Sequence, residues 1–140
     1  MNDIEILART LWGEARGEGL DGMAAVANTI MNRVHLDLHG DGKPDWWGEG
    51  VAGVCQKPWQ FSCWNANDPN RSKLLAVTAA DPHYQDALVI AGAAVRGQLR
   101  DRTGNATHYY APKVVSAPAW VGKGSFTAKV GDQLFYRVLA

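Results

Sequence analysis

Apolar side chains recur at Ile4, Leu7, Ala8, Leu11 and Ala15, with Glu5, Arg9 and Arg16 between and beyond them. Residues three and four apart share one face of a 3.6-residue turn, so this spacing predicts an amphipathic helix. The run WGEARGEG then places glycines at 13, 17 and 19. Glycine weakens a helix and lets backbone approach another chain closely, so the first helix is expected to stop here. A second stripe, Met23, Val26, Ala27, Ile30, Met31 and Val34, predicts a helix with Asp21 as its N-cap. From Leu36 to Gly50, glycines, a proline and acids follow without apolar periodicity, which reads as a long, functional or mobile loop.

Val51 to Cys55 suits a short helical turn, and KPWQFSCW after it mixes aromatics with a proline break that leaves its state open. Arg71 to Ala79 reads as a short helix. Asp81-Pro82 supplies a cap and a first-turn proline for another, with Tyr84, Ala87, Leu88, Ala91 and Val95 as its apolar face up to Gly97. The segments ATHYYAP and FTAKVGDQLFYRVL predict a small β-hairpin turning at Gly131-Asp132. On a strand Tyr109 and Tyr110 would point to opposite faces. The pattern is mainly α with a little β, and residues 1–140 suffice for one domain.

Fourteen basic and fourteen acidic residues cancel, with a pI near 6.9. No global field recruits nucleic acid. The longest apolar runs fall far short of the roughly 20 residues needed to span a bilayer, so no membrane insertion is expected. The opening MNDIEILART lacks the marks of a secretory signal, and a soluble chain made in the cytoplasm is expected. Four histidines and two cysteines show no zinc spacing, and no cofactor is expected. Asp37, His39, Asp41, Gly42 and Asp45 follow part of a calcium-loop pattern, but Gly48 stands where a bidentate glutamate belongs, so an exposed acidic loop is the default. Of six tryptophans, Trp46 and Trp47 sit in the polar glycine-rich stretch and are candidates for stacking on a ligand. Cys55 and Cys63 could form a disulfide in an oxidising compartment or remain a buried thiol pair. A cysteine nucleophile served by His83 or His108 has no supporting motif.

On a continuous helix Glu14 falls beside Leu7 and Leu11 at the margin of the apolar stripe, with Glu18 one turn later. A poorly solvated carboxyl stays protonated near neutral pH, which is what a general acid needs to protonate a departing glycosidic oxygen. Glutamates near helix ends are more often simply solvated, so position alone does not decide.

The run WGEARGE at 12–18, followed by G-x-x-A-V-A-N-x-I-x-N-R-V at 22–34, resembles the SleB/CwlJ family of cell-wall hydrolases. VCQKPWQFSCW at 54–64, then ATHYYAP and PAW up to Trp120, resemble that family's later blocks. The resemblance implies a lysozyme-like, lytic-transglycosylase-like domain in which one glutamate at a helix end, Glu14, does acid and base work on a peptidoglycan glycan strand. The implied product is a 1,6-anhydromuramoyl end. Attack by water instead would make a muramidase, which normally wants a second carboxylate about 5 to 9.5 Å away; Glu18 comes first for that role, then Asp45 and Glu49. Gln60, Phe61 and Ser62 resemble the segment that lines the sugar groove in such enzymes. Tyr109, Tyr110, Trp47 and Trp120 complete the expected substrate-binding set, and His108 is expected as a partly buried structural histidine. The chain is expected to act as a monomer, in the manner of a phage endolysin released from the host cytoplasm. Two other readings stay open: a stem-peptide amidase, which needs a metal or activated nucleophile, and a silent glycan-binding module that stacks sugars on tryptophan.

Overall fold

A computed structural model of the chain describes residues 1–36, 40, 42, 47–58 and 60–139. The calcium-loop positions Asp37, His39, Asp41 and Asp45, together with Trp46, lie outside the described residues. Helix α1 spans Asp3–Ala15 and is capped by Asn2, whose Oδ1 accepts from the Glu5 N–H at 2.9 Å. Its stripe Leu7, Ala8, Leu11 and Ala15 is buried throughout, and the other helices pack around it.

Helix α2 spans Gly19–His35 and starts from Glu18 rather than from Asp21. Gly19 takes φ +76°, a left-handed conformation open to glycine, and this turns the chain from α1 straight into α2. Asp21 therefore sits inside the first turn and pairs with Arg102 at 2.8 Å. The apolar stripe of α2 faces the core, while its polar residues hold another segment. Asn28, itself buried, donates through Nδ2 to the Arg100 carbonyl and accepts at Oδ1 from the Arg102 N–H, both at 3.1 Å. Asn32 donates to Asp101 Oδ2 at 3.1 Å and to the Ala106 carbonyl at 2.9 Å. Arg33 Nε donates to the Thr107 carbonyl at 2.6 Å. One helix face thus fixes residues 100–107, which lead into the first strand.

Helix α3 (Gly50–Gln56) and a short 3-10 turn, Ser62–Trp64, lie against α1, with Trp64 Nε1 donating to Thr10 Oγ1 at 2.9 Å. Helix α4 is Pro69–Ala76, earlier at both ends than expected, because Asp68 accepts from the Asn70 N–H and Pro69 fills the first position. Helix α5, Pro82–Val95, is capped by Asp81 as expected. It ends where Gly97 adopts φ +72° and the Gln98 N–H returns to the Ala93 carbonyl at 2.8 Å.

Strands β1 (His108–Tyr110), β2 (Ser125–Val130) and β3 (Gln133–Arg137) form an antiparallel sheet in the order β1-β3-β2. The expected hairpin is β2 and β3, turning at Gly131 with φ +57°. Tyr109 pairs with Phe135, which is buried with Ala25 and Ala106 between the sheet and α2. No helix among the described residues is long and apolar enough to cross a membrane. The mainly α fold with a small β-sheet is the architecture expected.

Candidate active site

A cleft of about 540 Å³ lies where the end of α1 meets the 57–62 segment and β1. Glu14 lines it, with Arg33, Lys57, Pro58, Gln60, Phe61, Ser62, His108, Tyr109 and Trp120. Glu14 occupies the last turn of α1, a site made by the glycine before it. A Cβ on Gly13 would stand 2.8 Å from Cys63 Cβ and 2.9 Å from its Sγ, so the missing side chain is what lets the 62–64 turn close on the helix. The Cys63 N–H then points at Glu14 Oε1 across 3.4 Å, a long and weak hydrogen bond.

Burial raises the Glu14 pKa, hydrogen bonds from Cys63 oppose the shift, and the charge of Asp68 adds to it. The net direction is upward, toward a carboxyl that keeps its proton above the usual carboxylate range. Burial likewise holds Tyr109 as a neutral phenol, and the nearby Glu14 charge acts the same way. His108 is lowered to about 4 by burial and by the Arg33 cation, so it is a neutral imidazole at pH 7. Its Nδ1 lies 2.8 Å from Thr107 Oγ1 and its ring 4.9 Å from that of Trp120.

Several expected site residues sit elsewhere. Glu18 does not line the cleft; it begins α2, with its side chain against Gly22. Among the described residues Glu14 is the single carboxyl lining the cleft. Trp47, expected to stack on ligand, is only 1% exposed and packs beneath the Arg33 guanidinium, because the apolar interior takes the indole that its polar sequence neighbours disguise. Tyr110 does not line the cleft; it shares the His108 face of β1 and rests against Trp120 and Tyr136, with ring centroids 5.9 and 6.2 Å away. Phe61 is 4% exposed and forms the floor. Gln60 reaches the cleft wall, but both donors of its amide are committed to the Trp47 and Val54 carbonyls at 2.9 and 2.8 Å. Cys55 and Cys63 are free buried thiols rather than a disulfide. Burial pushes Cys55 up to about 12, and burial together with the Glu14 charge pushes Cys63 up as well, which argues against a thiolate nucleophile.

Arg33 was not anticipated. It lines the cleft at 8% exposure, with its guanidinium 5.7 Å from the Trp47 ring centroid and 5.5 Å from that of Phe61. Its position three residues after Ile30 and seven after Val26 places a charge in register with the apolar stripe of α2, and that was the available signal.

The Cell Wall Hydrolase family model matches residues 17–136, beginning just after Glu14. The spore cortex-lytic enzyme of Oceanobacillus iheyensis is 28% identical over 142 residues, covering 96% of this chain and 41% of that protein. The spore cortex-lytic enzyme of Bacillus subtilis is 27% identical over 142 residues, covering 96% and 37%. The chain thus spans about two fifths of the length of these curated relatives. Among solved structures, the catalytic domain of the germination-specific lytic transglycosylase SleB from Bacillus anthracis superposes with a TM-score of 0.69 at 27% identity, over 98% of this chain and 95% of that one. The catalytic domain of Bacillus cereus SleB gives 0.67 at 27% identity, over 96% and 89%. By sequence along most of its length and by fold, the chain belongs to the Cell Wall Hydrolase family.

Proposed function

We propose that this chain cleaves the bond between N-acetylmuramic acid and N-acetylglucosamine in peptidoglycan as a lytic transglycosylase, with Glu14 as both acid and base. The observation that carries the reading is the sequestered carboxyl of Glu14, alone of its kind among the described residues of the cleft. The family membership and the lytic transglycosylase named in the superposed structure support it.

Glu14 donates its proton to the glycosidic oxygen as the muramoyl C1–O bond breaks, and the N-acetylglucosamine hydroxyl leaves. The carboxylate then accepts the proton of the muramoyl 6-hydroxyl while that oxygen bonds to C1, which closes the 1,6-anhydro ring and restores the protonated acid. The ring closure is intramolecular, so no second carboxylate is needed to activate water. Tyr109, which lines the cleft with Glu14 and is held neutral by burial, offers a hydroxyl to the bound sugar or the carboxyl.

Digestion of purified peptidoglycan in ¹⁸O-labelled water, read by mass spectrometry, tests the reading. Unlabelled anhydromuramoyl ends are expected. Reducing muramic ends carrying the label would mean a muramidase, and unbroken glycan with free stem peptides would mean an amidase; either outcome overturns the proposal.

A further inference from the structure

Arg33 is an unusual component for a sugar cleft. A buried cation normally faces a carboxylate, yet neither of the two ion pairs among the described residues involves it. Its Nε is spent on the Thr107 carbonyl, and the rings of Trp47 and Phe61 hold the guanidinium. Its two terminal nitrogens make no hydrogen bond to any described residue, while the side chain lines the cleft. Among the described residues the fork is therefore fixed by one hydrogen bond and two rings, largely stripped of water at 8% exposure, and placed at the cleft wall. Such a group fits a planar anion that can accept two parallel hydrogen bonds.

We propose that Arg33 is a specificity residue that binds the carboxylate of the muramoyl lactyl group, so that the cleft recognises muramic acid rather than any N-acetylhexosamine. The inference rests on the proposed substrate class. Glu14 and Arg33 line the same cleft, so one bound sugar can meet both: Glu14 the glycosidic oxygen, Arg33 the acid carried on C3 of the same ring. On a strand bearing stem peptides that carboxylate is an amide, and Arg33 would meet a neutral carbonyl with a weaker bond. Peptide-free muramoyl residues should then bind best.

The test is binding, read separately from cleavage. Free N-acetylmuramic acid, its lactyl methyl ester and N-acetylglucosamine are titrated into the wild-type chain by NMR. The free acid is expected to bind about tenfold more tightly than the ester, with an advantage that shrinks as salt rises, and N-acetylglucosamine should resemble the ester. In Arg33→Gln that advantage should vanish, and Arg33→Lys should recover part of it. Equal affinity of acid and ester for the wild type, or a preference that survives in Arg33→Gln, overturns the proposal. If the wild type prefers the acid but peptidoglycan is never cut at its glycan, the Arg33 inference stands and the proposed reaction falls.

Discussion

Gly13→Ala tests whether the contact between α1 and the 62–64 turn shapes the catalytic carboxyl. The added methyl would sit 2.8 Å from Cys63 Cβ and 2.9 Å from Cys63 Sγ, with Leu74 Cδ2 at 3.4 Å. None of these neighbours can turn aside freely, because Cys63 and Leu74 are both buried. Overpacking of this sort costs about 1 to 3 kcal/mol, and alanine returns about 1 kcal/mol through its better helix propensity. The net loss is about 0 to 2 kcal/mol, or roughly 3 °C in Tm for each kcal/mol in a chain of this size. The larger effect should be on rate. To relieve the clash the 62–64 turn must move off the helix, and it takes with it the N–H that faces Glu14 Oε1. A tenfold fall in turnover corresponds to about 1.4 kcal/mol, and a fall of about that size is expected. Urea unfolding together with release of soluble fragments from purified peptidoglycan measures both quantities. Cys63→Ala should restore only part of the stability, since the Cβ contact remains. If Gly13→Ala is more stable than wild type by the full propensity gain and fully active, the close approach has no role and the reasoning fails.

The remaining expectations concern charge. Because burial raises the folded-state pKa of Glu14, the native state binds this proton more tightly than the unfolded chain; stability from this group is present at low pH and lost as pH rises past 4.5 through the raised value. Glu14→Gln should therefore unfold at higher urea than wild type on the alkaline side, and kcat/KM of the wild type should fall as the same group loses its proton; a pH-independent difference in urea midpoint would count against the burial effect. His108 is the opposite case: its pKa is lowered to about 4, so the stability tied to its neutral form is full above 6.5 and is lost as pH falls toward 4. NMR of the ring protons should place its titration near 4, and a value near 6.5 would contradict the burial assigned to it. The two buried thiols should react with an aromatic disulfide reagent only after unfolding, and the intact mass should show both reduced; rapid labelling of the native chain or a mass two daltons low would count against free buried cysteines. Gly48 adopts φ +115°, and a Cβ there would strike the Gly53 carbonyl, so Gly48→Ala should destabilise by about 1 to 3 kcal/mol in urea unfolding.

The helices most legible in the sequence are those whose instructions are local. Asp81-Pro82 starts α5 and Gly131 turns the hairpin because cap, proline and positive-φ glycine act within a few residues. The start of α2 was misplaced because Asp21 looks like a cap but serves an ion pair with Arg102, a partner far along the chain. Trp47 was misread for the same reason: its sequence neighbours are polar, while the cation and the ring against it, Arg33 and His108, come from α2 and β1. Within the site, the apolar register of α1 placed Glu14 correctly at the margin of the core, whereas Glu18 was carried onto the same face by assuming a continuous helix. The chain breaks at Gly17 and Gly19 and turns Glu18 toward α2. Gln60 reached the cleft as expected, but its amide donors hold backbone, a commitment that no spacing reveals.

The central claim is that Glu14 supplies the proton. It is tested most directly by digesting purified peptidoglycan with equal amounts of wild type and Glu14→Gln and counting anhydromuramoyl ends by mass spectrometry over time. Glutamine fills the same space and cannot donate a carboxylic proton, so the rate should drop by about a hundredfold or more while the variant still folds and binds the wall. Anhydromuramoyl ends appearing at a rate within a few-fold of wild type would contradict the account.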